Sequence, residues 1–74
     1  MSPELLRTFR VTRKMTQAEL ADKLGCSTQM IALIERQERR FTERMANRFM
    51  IVFNLDEKKL QELRKLREAI VFDE

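Results

Sequence analysis

The chain has no histidine and a single cysteine, Cys26. That composition leaves little for a His/Cys metal centre, a disulfide framework or a histidine-assisted nucleophile. No carboxylate pair and no nucleophile stands beside a base, so no enzymatic activity, metal or cofactor is expected. What remains for chemistry is cationic and hydrogen-bonding side chains. Arg36, Arg39, Arg40 and Arg44 crowd into one short stretch. Residues 1–44 hold nine Lys/Arg against six Asp/Glu, while residues 45–74 hold six against six, so the net charge of +3 comes from the first part. A basic face at one end suits a polyanion. Glu38 and Glu43 dilute the group, and a solvated charge run is the plainer alternative.

These side chains need elements to hold them. At 74 residues, with 36% charged residues and one proline, the chain reads as one all-helical domain spanning 1–74. No stretch alternates like a strand, and no Asn-Gly or Asp-Gly hairpin signal occurs. Cys26 reads as a small, reduced, apolar residue. With no signal peptide or spanning segment in view, a cytoplasmic location is expected, with no membrane partner.

Five helices follow from the apolar rows and the caps. Ser2-Pro3-Glu4 predicts a helix over about 3–13, with a capping serine and proline at its first position. Thr16-Gln17-Ala18-Glu19 fits a capping box and starts a helix over about 17–24. Its inner face is Leu20, Ala21 and Leu24. Gly25, the only glycine, marks the break. Ser27 then caps a helix running to about Arg36, with Ile31 and Ile34 inside and Thr28, Gln29, Ala32 and Leu33 on the outer row. Leu33 is also readable as core. Thr42 caps a helix over about 43–53 through Met45, Ala46, Phe49, Val52 and Phe53. Met50 and Ile51 lie off that stripe, which implies burial on two sides. Asn54 suits a left-handed stop, and Asp56 caps a last helix over about 57–71 with Leu60, Leu63, Leu66, Ile70 and Val71.

The two-helix unit over 16–36 is the informative part. A small residue at Ala21 lets two helices cross closely, Gly25 turns the chain, and the two isoleucines lock the second helix onto the first. An ordinary helical hairpin needs the same apolar rows. The coincidence of Ala21, Gly25, Ile31, Ile34, Leu20 and Leu24 with both caps favours a helix-turn-helix.

TQAELADKLGCSTQMIALIER, with the basic loop and FTERMANRFMIVFNLDEKKL after it, resembles the Cro/C1-type (XRE-like) helix-turn-helix domain of phage repressors and small bacterial transcriptional regulators. The resemblance covers about residues 5–62. It implies a five-helix, lambda-repressor-like, DNA-binding domain with an extended C-terminal helix. It implies base reading in the major groove by Thr28, Gln29, Ala32 and Leu33, with Gln29 able to bond adenine at N6 and N7. It implies backbone contacts from Gln17, Ser27, Arg36, Arg39, Arg40 and Arg44, which position without reading sequence. It also implies a largely enclosed ion pair between Arg10 and Glu35. The family usually has glycine where Lys14 and Gln37 stand, and often proline where Phe41 stands. Either the two glycine positions are left-handed at some cost or the loops differ locally.

The expected function is a sequence-specific regulator of transcription, a repressor binding a pseudo-palindromic operator on double-stranded DNA. A homodimer is expected, with Met50, Leu63, Leu66, Ile70 and Val71 as its seam, because a two-fold protein matches two half-sites. No small-molecule effector is expected, and no second domain fits in the remaining length. Two alternatives remain at this stage. One is an antitoxin or restriction-modification controller on the same fold. The other is a protein-interaction module that has lost DNA binding.

Overall fold

The computed structural model describes residues 1–69. Its helices are α1 (Pro3–Thr12), α2 (Gln17–Leu24), α3 (Thr28–Glu35), α4 (Glu43–Val52) and α5 (Glu57–Ala69). Every regular element among the described residues is a helix. None is long and apolar enough to cross a membrane. The expected last turn, with Ile70 and Val71, lies outside the described residues.

Local chemistry sets the helix starts. The Thr16 hydroxyl accepts the Glu19 amide at 3.0 Å while the Glu19 carboxylate accepts the Thr16 amide at 2.8 Å, a complete capping box. Ser27 accepts from the Met30 amide at 3.0 Å, Thr42 from Met45 at 3.2 Å and Asp56 from Lys59 at 2.9 Å. Each such cap is worth about 1 kcal/mol. Ser2 departs from its expected role. Its side chain accepts no capping bond, because the Leu5 amide it would satisfy bonds to the Ser2 carbonyl at 3.2 Å.

The first four helices end in one shared way. A left-handed residue follows each: Lys14 (φ 55°), Gly25 (φ 71°), Gln37 (φ 60°) and Asn54 (φ 52°). The next amide then reaches back five residues: Met15 to Arg10, Cys26 to Ala21, Glu38 to Leu33 and Leu55 to Met50, at 2.8–3.0 Å. This is the Schellman closure, which satisfies carbonyls that the helix leaves open. Met15, Cys26 and Leu55 also pack on the core, the apolar contact that accompanies the motif. Lys14 and Gln37 therefore do occupy left-handed positions, and the loops keep the tight geometry.

The core gathers Leu5, Leu6, Phe9, Leu20, Leu24, Ile31, Ile34 and Phe49, each at most 2% exposed. Phe49 is its centre. Its ring meets Phe9 edge-on at 5.0 Å, Phe53 at 5.7 Å and Phe41 at 6.4 Å. Phe41, where proline is frequent, is buried and pins the loop before α4 to that cluster. Val52, expected on the inner row of α4, is instead 42% exposed. The row through Ala46, Phe49 and Phe53 faces inward, and Val52 falls outside it. α3 packs on α2 and α1, α4 packs on α2, and α5 packs on α1.

The left-handed corners predict opposite signs for glycine exchanges. Lys14→Gly removes Cβ crowding and should raise stability by about 0.5–1 kcal/mol, whereas Gly25→Ala should lower it by about 1 kcal/mol. Asn54→Gly should be nearly neutral. Urea unfolding of the three variants checks the order.

Candidate nucleic-acid interface

One corner holds the helix-turn-helix in place. Arg10 at the end of α1 donates through Nε and Nη2 to both oxygens of Glu35 at the end of α3, at 2.7 and 2.9 Å. Its Nη1 donates to the Met15 carbonyl at 3.0 Å, and the Gln17 amide donates to Glu35 at 3.2 Å. Three helices and the first turn thus meet on two charges. The Glu35 side chain is only 4% exposed and that of Arg10 17%. A bidentate pair with extra donors is the geometry that offsets desolvation.

A second tie comes from α4. Arg48 Nη1 donates to the Leu24 carbonyl at 3.2 Å, placing a cation at the negative end of α2. Sequence reading did not single out Arg48. Its only local signal is charge, and its partner lies 24 positions away. Cys26 is half-buried beside this contact, and burial pushes its thiol pKa up although Arg48 pulls it down. The thiol therefore stays protonated at neutral pH and behaves as an apolar group.

The outer side of α3 is left open. Thr28 and Gln29 are exposed, and neither makes a side-chain hydrogen bond among the described residues. Ala32 and Leu33 are half-buried one turn further on. Leu33 stands outside the hydrophobic cluster, so its side chain faces away from the core. Thr28 and Ala32, and Gln29 and Leu33, stand four apart, and Gln29 and Ala32 three apart, which puts these four on one helical surface. The Ser27 hydroxyl accepts from Met30 and keeps its own hydrogen to donate.

The loop after α3 and the first turn of α4 present the cations. Arg39, Arg40 and Arg44 are exposed and make no ion pair with another described residue. Arg36 pairs with Glu38 at 2.8 Å, with more than half of each side chain exposed, so the pair holds Arg36 only weakly. Glu38 and Arg39 amides both return to the Leu33 carbonyl, which fixes the loop against the end of α3.

Gln17 sits differently from the other residues expected at the DNA backbone. Its side-chain amide turns inward to Glu35. The Gln17 and Ala18 amides, in the first turn of α2, have no carbonyl behind them within the helix. The adjacent Glu19 carboxylate is held ionised, its pKa lowered by the Thr16 amide and then by the Thr16 hydroxyl.

Of the expected dimer seam, Leu63 is only 6% exposed and belongs to the protomer's own core. It packs inward because α5 lies on α1. Met50 is half-buried on α4, Leu66 is 44% exposed on α5, and Ile70 and Val71 lie outside the described residues.

A helix-turn-helix family profile matches residues 6–60. The chain therefore belongs to the Cro/C1-type helix-turn-helix family, and it is a DNA-binding regulator. No curated protein and no solved structure matches it.

The Arg10–Glu35 corner predicts a measurable asymmetry. Glu35→Ala leaves a mostly enclosed guanidinium without its partner and should cost about 3–5 kcal/mol. Arg10→Met combined with Glu35→Leu should cost clearly less than the sum of the two single changes. A double-mutant cycle by chemical unfolding reads the coupling.

Proposed function

We propose that the protein is a Cro-like repressor that binds a pseudo-palindromic operator as a homodimer. Each copy lays α3 in a major groove, where a helix fits and its first residues meet base edges. The observation that carries this reading is the open outer surface of α3 beside three uncommitted arginines. Gln29 has the donor and acceptor that adenine N7 and N6 require, and Thr28, Ala32 and Leu33 offer apolar contact to a thymine methyl.

Arg39, Arg40 and Arg44 take the flanking phosphates, and Arg36 joins them by leaving Glu38. The Ser27 hydroxyl and the first-turn amides of α2 add donors on the other side, with the partial positive charge of the helix end. Gln17 contributes through its backbone, since its side chain holds Glu35. Repression follows from occupancy: a duplex covered by two copies excludes polymerase. Regulation is by protein concentration in the cytoplasm, with no small-molecule effector.

Selection of bound sites from a random duplex library tests the reading. A palindromic consensus with half-site centres about 10 bp apart is expected, and no enrichment would contradict DNA reading altogether. Two variants then separate the roles. Gln29→Ala should relax preference at one base pair, with a loss of about 1–3 kcal/mol there. Arg40→Ala should weaken all sequences alike and reduce the salt slope by about one. Identical behaviour of the two variants would overturn the division into readers and clamps.

A further inference from the structure

We infer that the outer row of α4, centred on Ile51, is where a second copy of this chain docks. The inference rests on the dimeric reading above and names its surface. Ile51 is 79% exposed, by far the most of any large apolar side chain described. It lies on an open cleft of about 550 Å³ with Asn47, Met50, Asn54 and Leu55. Asn47 and Met50 also line a wider cleft of about 810 Å³ that runs on to the 37–41 loop. The two clefts therefore make one furrow along α4, from the arginine loop to its last turn.

Charge says what covers this furrow. In a chain with 36% charged residues, the row Asn47, Met50, Ile51 and Asn54 carries none. A surface meant for phosphates would carry cations, as the neighbouring loop does. An uncharged apolar row between two amides is self-complementary, which is what an isologous two-fold contact requires.

Geometry points the same way. Copies on one face of a duplex must repeat at about 34 Å, one helical turn. The protein measures 29 × 28 × 21 Å, so two copies side by side repeat at about its own width. They must then touch along a flank next to the DNA-contacting loop. α4 begins at that loop, at Glu43 and Arg44. α5 is separated from α3 by α1, on which both pack, and Leu63 is already buried there. The exposed row is short, so the contact is weak in free solution and closes on DNA.

The test compares two duplexes with the full chain: the selected palindrome, and the same duplex with one half-site scrambled. Ile51→Glu is the main variant and Asn47→Asp the second; both sites are exposed, so the fold is kept. Each should leave scrambled-site affinity unchanged and lower palindrome affinity by about tenfold or more. Leu66→Glu on α5 should change neither. Unchanged palindrome binding by both α4 variants, or loss only in Leu66→Glu, would overturn the α4 surface while leaving the dimer intact. A wild-type chain that gains nothing from the second half-site would instead overturn the dimeric reading itself.

Discussion

The structure depends on the Arg10–Glu35 pair more than on any other contact. α3 is only eight residues long, too short to be helical by its own propensity. Its inner side is held by Ile31 and Ile34, but apolar packing alone is non-directional. The bidentate pair supplies direction. It fixes the last residue of α3 to the last turn of α1, and Gln17 extends the same contact to the first residue of α2. Breaking either charge leaves the other enclosed, so the corner is strongly specified.

From that corner the outward surface follows. With Ile31 and Ile34 turned in and Glu35 tethered, Thr28 and Gln29 are left exposed, and Ala32 and Leu33 stand outside the core cluster. The loop beyond α3 is closed onto the Leu33 carbonyl and anchored by Phe41 in the aromatic cluster. Its arginines are therefore presented from a fixed base rather than a slack linker. Arg48 ties α4 to the end of α2, so the flank bearing Ile51 is fixed to the helix-turn-helix unit. Folding energy and site geometry draw on the same contacts.

Much of this was legible in the sequence because it is local. The capping box at Thr16, the caps at Ser27, Thr42 and Asp56, and the left-handed stop at Asn54 each depend on a few neighbouring residues. Lys14 and Gln37 were harder: nothing in their side chains asks for a positive φ, and only the need of a helix end to close its carbonyls explains them. Ser2 looked like a cap but lost its amide to its own carbonyl. Long-range features were out of reach of spacing and periodicity; the Arg10–Glu35 pair came only through the family resemblance. Periodicity shows that Leu63 needs an apolar neighbour, not whether α1 or a second chain supplies it. The Arg48 bond to Leu24 and the inward turn of Gln17 leave no trace in spacing. Ile51 showed only as an apolar residue off the main stripe, and its meaning came from its exposure.

The central claim is that α3 enters the groove as a preformed surface, with the corner behind it unmoved. Amide and arginine side-chain shift mapping on the isotope-labelled protein, titrated with its selected duplex, tests this most directly. The account predicts changes concentrated in residues 17–18, 27–33 and 36–44 and, where the second copy docks, along the α4 row 47–54, with the Arg10 Nε–H signal unchanged. Changes centred on the exposed faces of α1 and α5, or a displaced Arg10 signal, would contradict it.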